Sequence, residues 1–281
     1  MKKGDFLMYM NKFVHLAVRS LYIVMRVFFR IVASESRNYE MWNTIPILRR
    51  LRTTARNPLY YLPIRKSRVS LAILPNGMRL LCPYEDMFVI SEIFIDQIYN
   101  RLFRLKDGFV AIDVGAHVGV FTLKASEEVG EKGLVISFEP NPYTFNLLER
   151  NLKMNQVTNV IPYRIALSNS SGKSKLYQSP HPREDSLVKV RSKYVLVNLD
   201  ILDKVISKLN LERIDFVKID VEGAELRVLE GAQKTLAKFR PNLAIAAYHE
   251  LNKIEEISDF LLRNNFRVFI NKPYVYAKVG R

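Results

Sequence analysis

The sequence predicts an α/β protein with a doubly wound, mostly parallel sheet. Three observations lead to this fold class: short apolar runs alternate with stretches of helical periodicity, the run 109–112 is followed at once by a glycine-containing turn, and the run 134–138 ends on Glu139. Apolar runs of this length, bounded by turns, are typical of strands that are buried on both faces of a parallel sheet.

The core of this fold is predicted to occupy residues 108–281. Strands are expected at about 109–113, 134–138, 159–166, 214–220, 242–248, 265–270 and 274–279, with helices after the first several. The last two strands should form an antiparallel pair at one edge of the sheet.

Residues 61–107 are expected to lead into that core. Predicted strands at 68–74 and 78–82 flank Pro75-Asn-Gly77, a sequence typical of a hairpin turn, and residues 86–99 are predicted to form a helix.

The turn after the first core strand is predicted to bind a nucleoside. Gly115 and Gly119 allow the backbone to turn sharply before the helix that starts near Val118. Glu139 ends the neighbouring strand, where its carboxylate can accept hydrogen bonds from both hydroxyls of a ribose. The cofactor should therefore contain a nucleoside.

The spacing of the glycines narrows the choice of cofactor. A dinucleotide site uses G-x-G-x-x-G, but His117 stands where the second Gly would be, and no Lys-Ser or Lys-Thr pair follows as in a phosphate-binding loop. S-adenosylmethionine carries adenine and ribose without phosphate, and its ammonium and sulfonium groups favour a nearby carboxylate such as Asp113. The sequence therefore predicts S-adenosylmethionine as the cofactor.

Five stretches carry a resemblance to a known family: Glu92–Tyr99, Ile112–Thr122, Phe138–Pro142, Ala166–Ser168 and Val217–Glu225. With them the chain resembles the FkbM-type S-adenosylmethionine-dependent methyltransferases from about residue 85 to residue 281. The resemblance implies a class I methyltransferase fold and methylation of a hydroxyl on a sugar or natural product. Two features depart from the pattern: His117, where Asn is more usual, and the basic segment before residue 60.

The predicted cofactor contacts lie at strand ends and in the loops after them, because ligands of open α/β sheets bind beyond the carboxyl ends of the strands. They are Asp113, Gly115, His117, Gly119, Glu139, Asn141, Ala166 and Asp220. His117 is expected to contribute through its backbone. Asp220 is expected either to orient the substrate hydroxyl or to contact the amino group of the cofactor.

His249 is the predicted general base, and Asp220 is the second candidate. An alcohol loses its proton as it is methylated, and an imidazole titrates near neutral pH. A purely structural role for His249 is the alternative. Residues 168–182, rich in Ser, Pro and Gly, are interpreted as a surface insertion that reaches toward the substrate or as a plain hairpin.

Three carboxylates close together in sequence raise the question of a metal. Asp220, Glu222 and Glu225 lie within six residues and offer the oxygen ligands that Mg²⁺ prefers. Gly223-Ala224 already begins a helix, however, where Glu225 would favour the positive end of the helix dipole. No metal is predicted, and Lys218 is expected to form a partly buried structural pair rather than to act as a catalyst.

The net charge is concentrated at the start of the chain. Residues 1–68 hold 14 Lys and Arg against 3 Asp and Glu, and the whole chain has a net charge of +15. On a helix over residues 6–33, four charges would form one cationic stripe on an otherwise apolar surface: Lys12, Arg19, Arg26 and Arg30. Such a helix packs on protein, lies on an anionic membrane or contacts nucleic acid, and composition does not choose among these.

Composition favours a cytoplasmic enzyme with a basic, amphipathic helical appendage at residues 1–60. The mean hydropathy is −0.04, and Cys82 is the single cysteine, so no intramolecular disulfide can form. The predicted function is O-methylation of a sugar, glycolipid or related small molecule. Peripheral attachment to the inner face of the cell membrane through residues 6–33, and assembly into a homo-oligomer, are left open.

Two other functions are weighed against this one. Asn141-Pro-Tyr143 superficially resembles the Asn-Pro-Pro-Tyr of amino-methylating enzymes, but it follows the second core strand instead of the fourth, so a nucleic-acid substrate is not expected. A non-catalytic, membrane-associated protein with the same fold is the other alternative. The complete set of acids and glycines argues against it, because such a protein needs no cofactor site.

Overall fold

The structure is a computed structural model that describes residues 69–179, 182–247 and 251–280. The strands are β1 (Val69–Ile73), β2 (Arg79–Pro83), β3 (Val110–Val114), β4 (Leu134–Phe138), β5 (Val160–Tyr163), β6 (Ala166–Leu167), β7 (Gly172–Tyr177), β8 (Tyr194–Asp200), β9 (Phe216–Ile219), β10 (Asn242–Ala246), β11 (Phe266–Asn271) and β12 (Tyr274–Val279). The helices are α1 (Phe88–Phe94), α2 (Val120–Val129), α3 (Pro142–Met154), α4 (Leu202–Ile206), α5 (Glu225–Glu230), α6 (Gln233–Phe239) and α7 (Leu251–Arg263).

Seven strands form the central sheet, in the order β11-β12-β10-β9-β3-β4-β5. Strands β10, β9, β3, β4 and β5 run parallel, whereas β12 is antiparallel to both of its neighbours. Every residue of β3 and of β9 is buried, as expected for strands covered on both faces. The predicted fold class is confirmed, including the antiparallel strands at the C-terminal edge.

The order of the strands reverses at β3. The chain passes from β3 outward to β4 and β5, and it later returns to the other side of β3 as β9. Ligands of doubly wound sheets bind in the crevice beyond the strand ends at such a point. Because Val114 pairs with Ile219, the residues that follow β3 and β9 are neighbours at this crevice.

A smaller sheet has the order β6-β8-β7. Its buried face contains Ala166, Leu176 and Val197, with Val195 and Leu199 packed against them. Strand β8 was not predicted, and β7 lies inside the segment 168–182. That segment therefore contributes a strand to a three-stranded sheet and is not a plain hairpin.

Two predicted elements are wrong in extent. The helix predicted over 86–99 is confined to α1, because Gln97 has a φ of 49°, which an α-helix cannot continue through. The strand predicted over 159–166 ends at Tyr163, and Ala166–Leu167 pairs with β8 instead of continuing beside β4.

Several predictions fall outside the described residues, among them the helix over 6–33 and the base His249. The chain divides into two compact units after Ile73, and β1 is the described part of the first unit. The predicted domain boundaries at residues 60 and 107 stay predictions. Within the described ranges, no helix has the length and apolar character needed to cross a bilayer.

Candidate active site

A cavity of about 560 Å³ lies at the carboxyl ends of β3, β4 and β9. This volume is within the range of small-molecule pockets, about 300–1,000 Å³. Its walls come from the turns after those strands, from α1 and the residues that follow it, and from the small sheet with residues 183–189.

Gly115 forms the floor of the cavity where β3 ends. Its φ is 81°, and a Cβ atom added there would lie 1.8 Å from the carbonyl oxygen of Asp220. Only glycine allows this approach of the two turns. Gly119, with a φ of 90°, precedes α2 and lies against Leu148 Cδ1, so its role is to pack the turn onto α3.

Glu139 lines the cavity at the end of β4 and is 7% exposed. Its carboxylate accepts three hydrogen bonds, from the backbone N–H of His117 at 2.8 Å, the backbone N–H of Asn141 at 2.9 Å and the hydroxyl of Thr144 at 2.8 Å. A carboxylate accepts about four hydrogen bonds. Glu139 can therefore accept one more strong hydrogen bond, whereas the sequence led us to expect two hydrogen bonds from the hydroxyls of a ribose.

Ala166 belongs to an apolar wall on the β5 side of Glu139. Ile165, Leu167 and Leu176 line the cavity with it, as does Phe138, which stacks on Tyr163 with ring centroids 5.4 Å apart. A flat purine fits such a wall, because both bury apolar surface on contact.

Asn141 has a structural role. It caps α3, because its side chain accepts a hydrogen bond from the backbone N–H of Tyr143 at 2.8 Å, and its amide group donates to Asp185 at 2.6 Å. Burial, and then the like charge of Glu139, raise the pKa of Asp185, although hydrogen bonds from Ser179 and Asn141 oppose the shift. A direct contact of Asn141 with the cofactor stays a prediction.

Asp113 is fully buried and forms an ion pair with Lys218 at 2.9 Å. Its other oxygen accepts a hydrogen bond from Thr122 at 2.7 Å, and Lys218 also donates to the carbonyl oxygen of Gly115 at 2.7 Å. The pair arises because the two residues are opposite each other on β3 and β9. The carboxylate of Asp113 thus holds the glycine turn through Lys218, and its predicted contact with the cofactor stays a prediction.

Asp220 lines the cavity at the end of β9. Its backbone N–H donates to the carbonyl oxygen of Val114 at 3.0 Å, and its carboxylate accepts a hydrogen bond from the Tyr99 hydroxyl at 2.7 Å. The ring of Tyr99 packs edge-on against Tyr274, at 5.9 Å between centroids. Burial, and then the charges of Glu92 and Asp220, raise the pKa of Tyr274, so this phenol stays neutral.

His117 lines the cavity in a left-handed conformation, with a φ of 53°. Its Nε2 atom is 3.4 Å from Oδ2 of the buried Asp86, which also pairs with Arg183. Neither Nε2 nor Oδ2 has the geometry of a hydrogen bond with any of the described residues. Burial alone would raise the pKa of Asp86, but His117 and Arg183 outweigh it and the pKa is lowered.

The three carboxylates weighed as metal ligands have different surroundings. Glu222 pairs with Lys189 at 3.1 Å, while Glu225 accepts a hydrogen bond from the backbone N–H of Gly223 at 2.9 Å. Burial raises the pKa of Glu225. Across residues 69–179, 182–247 and 251–280, no three His, Cys, Asp or Glu side chains are grouped to hold a metal ion.

Sequence reasoning missed several residues of this cavity. The role of Tyr99 was not assigned although it ends one of the matching stretches, and Tyr274 and Arg183 carry no local signal of function. Their positions depend on partners far away in sequence. His249 lies outside the described residues.

The glycine turn after β3 and the carboxylate after β4, on a doubly wound sheet, define a nucleoside-binding α/β protein. The chain matches the methyltransferase FkbM domain over residues 113–268 and belongs to that family. S-adenosylmethionine is its cofactor. The resemblance and the cofactor predicted from the sequence are both confirmed.

Two relatives and one solved structure illustrate the match. The 31-O-demethyl-FK506 methyltransferase FkbM of Streptomyces tacrolimicus is 29% identical over 241 residues, 73% of this chain and 91% of the relative. The hexuronic acid methyltransferase AglP of Haloferax volcanii is 32% identical over 167 residues, 59% of this chain and 67% of the relative. The crystal structure of methyltransferase FkbM from Methylobacillus flagellatus has the same fold, with a TM-score of 0.50 and 20% identity over 64% of this chain and 47% of that one.

Proposed function

We propose that this methyltransferase transfers a methyl group to a hydroxyl of a sugar, glycolipid or related small molecule. The observation that carries the proposal is a pair of relatives that match this chain over 67% and 91% of their own length: the first is a hexuronic acid methyltransferase and the second a 31-O-demethyl-FK506 methyltransferase. The small-molecule cavity at the strand ends is consistent with an acceptor of that size.

In this proposal the chain holds the cofactor through the residues at the ends of its strands. When bound, S-adenosylmethionine supplies an electrophilic methyl group on a sulfonium. Glu139 accepts a hydrogen bond from a ribose hydroxyl, and the turn over 115–119 lets the backbone approach the nucleoside. The wall around Ala166 excludes water from the purine. Asp113 acts indirectly: its carboxylate holds Lys218, and Lys218 donates a hydrogen bond to the carbonyl oxygen of Gly115.

The hydroxyl of the acceptor must lose its proton as it is methylated, and we assign the base to His249 or Asp220. Removal of a general base lowers the rate by about 10² to 10⁴. If His249 is the base, His249→Ala should therefore reduce turnover more than it reduces the affinity for S-adenosylhomocysteine; if Asp220 is the base, Asp220→Asn should do so instead. Normal turnover in both variants would rule out this assignment.

The reaction is tested with S-adenosylmethionine that carries a carbon-13 methyl group. The full chain is incubated with neutral sugars, uronic acids, glycolipid extracts and transfer RNA, and products are identified by mass spectrometry. The carbon-13 shift of the transferred methyl group distinguishes an oxygen-bound from a nitrogen-bound methyl group. Methylation of transfer RNA alone, or on nitrogen alone, would contradict the proposal.

The basic segment over residues 6–33 is proposed to bind anionic membrane, which would place the enzyme near a glycolipid acceptor. Each Lys or Arg near such a surface adds about 1 kcal/mol, and salt weakens the attraction. The full chain should sediment with vesicles that contain phosphatidylserine and not with neutral vesicles. Equal sedimentation with both vesicle types, or with neither, would contradict it.

A further inference from the structure

The most informative contact that the sequence did not predict is the hydrogen bond from Tyr99 to Asp220. The two residues are 121 positions apart in the chain and both line the cavity. The donor–acceptor distance is 2.7 Å, which is typical of a strong O–H···O bond.

Both partners of this bond are held in place. Tyr99 is 4% exposed, and its ring packs edge-on against Phe121 at 5.6 Å and against Tyr274 at 5.9 Å. The main chain of Asp220 is fixed by its hydrogen bond to Val114 and by the close approach of Gly115. The direction of the Asp220 carboxylate is therefore set before any ligand binds.

The donor of this hydrogen bond lies next to a buried cation. The Nζ atom of Lys218 lies 5.3 Å from the centroid of the Tyr99 ring, and a cation over the face of a phenol makes its hydroxyl a better donor. The Tyr99–Asp220 pair therefore presents a carboxylate of fixed direction to the cavity, and a carboxylate is a suitable partner for a positive charge.

The order of the strands indicates which part of the cofactor lies next to Asp220. The apolar wall for the purine lies on the β5 side of Glu139, so a ribose held by Glu139 directs the rest of the cofactor toward β3 and β9. Neighbouring strands are about 4.8 Å apart, which puts the ends of β4 and β9 roughly 10 Å apart across β3. Asp220 then faces the half of the cofactor that carries the sulfonium and the ammonium.

We propose that Tyr99 is a positioning residue that directs the Asp220 carboxylate at the positively charged half of S-adenosylmethionine, so that Asp220 is a counter-charge and not the general base. This inference rests on the proposed cofactor contact of Glu139. It leaves proton removal to His249 or to water.

Three ligands that share the nucleoside and differ in charge test the proposal. S-adenosylmethionine has the sulfonium and the ammonium, S-adenosylhomocysteine has the ammonium alone, and 5′-methylthioadenosine has neither. Affinities are measured by calorimetry on the full chain. Asp220→Asn and Tyr99→Phe should each lower the affinity for S-adenosylmethionine about tenfold, which is about 1.4 kcal/mol. The affinity for methylthioadenosine should change by less than about twofold.

A matched control removes another buried tyrosine hydroxyl near the same place. The hydroxyl of Tyr276 donates to the backbone carbonyl of Ile98, and Tyr276 is fully buried. Tyr276→Phe loses a hydrogen bond of the same kind without touching Asp220, so the ratio of the three affinities should not change. The double variant of Tyr99 and Asp220 should bind S-adenosylmethionine no more weakly than Asp220→Asn alone, because Tyr99 acts through Asp220.

Three outcomes would overturn the proposal. One is equal weakening of all three ligands by Tyr99→Phe, which indicates structural damage. Another is an unchanged preference for S-adenosylmethionine in Asp220→Asn. The third is additive loss in the double variant. Failure of the proposed O-methylation would be a separate result, because none of these measurements needs an acceptor. A wrong assignment of the ribose contact to Glu139 would also be distinguishable, because it would concern the affinity for methylthioadenosine as much as the affinity for S-adenosylmethionine.

Discussion

Two sides of the same cavity are built in different ways. The strand-end side consists of the turns after β3, β4 and β9, where Gly115, Glu139 and Asp220 are positioned by the sheet itself. The inserted side consists of Leu176 and residues 183–189, and side-chain contacts connect it to the strand-end side. Arg183 pairs with Asp86 and Asn141 bonds to Asp185, 97 and 44 positions apart in the chain.

The difference explains how each side is expected to respond to substitution. On the strand-end side, atoms are in van der Waals contact with backbone, so a small change alters the cofactor site directly. On the inserted side, the contacts connect long side chains that can adjust. Variants of the first side should therefore affect nucleoside binding, and variants of the second should mainly affect stability.

The largest effect is expected for Gly115→Ala. The new Cβ would lie 1.8 Å from the backbone oxygen of Asp220, in a backbone conformation that alanine disfavours, and backbone cannot yield as a side chain can. Calorimetry should detect no binding of S-adenosylhomocysteine. Gly77→Ala is the matched control, because Gly77 has a φ of 86° but nothing within 4 Å of its Cβ position. Normal binding by Gly115→Ala would contradict the rigidity of this side.

Lys218→Met should have the next largest effect, on stability. Lys218 and Asp113 are 4% and 0% exposed in their side chains, and loss of one partner leaves a buried charge, at a cost of about 3–5 kcal/mol. Lys204→Met is the control, since its pair with Asp200 is 51% exposed on the lysine and should contribute at most about 1 kcal/mol. Urea unfolding measures both. Similar losses of unfolding free energy in the two variants would show that the buried pair stabilises the fold no more than the exposed pair does.

The difference between the strand-end side and the inserted side also determines how much of the cavity could be predicted from the sequence. The strand-end side was predictable because the carboxyl ends of parallel strands meet at one edge, so that Gly115, Glu139 and Asp220 had to converge. Strand β8 alternates between exposed and more buried positions, but Tyr194 and Leu196 are apolar residues at exposed positions, so its sequence lacks the alternation that predicts a half-buried strand. Arg183 and Tyr274 could not be predicted as cavity residues, because their place depends on pairings that no local pattern encodes.

Sequence spacing also failed to distinguish a ligand contact from a structural one. Asp113 is the next-to-last residue of β3, and Asn141 follows β4 as Glu139 does, yet Asp113 pairs with Lys218 and Asn141 caps α3. Side-chain direction alternates along a strand, and a residue one position from the end can face a helix instead of the cavity. Only the structure separates these cases.

Glu139→Gln should weaken all nucleoside ligands by about tenfold to a hundredfold. A hydrogen bond to a charged acceptor contributes about 1.5–3 kcal/mol, and the amide replaces the charge with a neutral acceptor. Methylthioadenosine should be affected as strongly as S-adenosylmethionine, because both carry the ribose. Glu149→Gln, on the exposed surface of α3, makes the same change of charge and should leave binding unaltered. Loss confined to S-adenosylmethionine would move the ribose contact away from Glu139.

The smallest effect is expected on the inserted side, from Arg183→Met. Arg183 is 26% exposed in its side chain and shares the buried Asp86 with His117, so its loss should cost about 1–2 kcal/mol of unfolding free energy near neutral pH. Because the pKa of Asp86 is lowered in the folded chain, the stability that its charge contributes is present above the ordinary carboxyl pKa of about 4 and is lost as the pH falls through the lowered value. The free-energy difference between the wild type and Asp86→Asn should therefore shrink below about pH 4.

Methylthioadenosine affinity at neutral pH should stay within about twofold in Arg183→Met, since independent sites are nearly additive. If Arg183→Met weakened this ligand as much as Glu139→Gln does, the two sides of the cavity would be one cooperative unit and the distinction between them would fail.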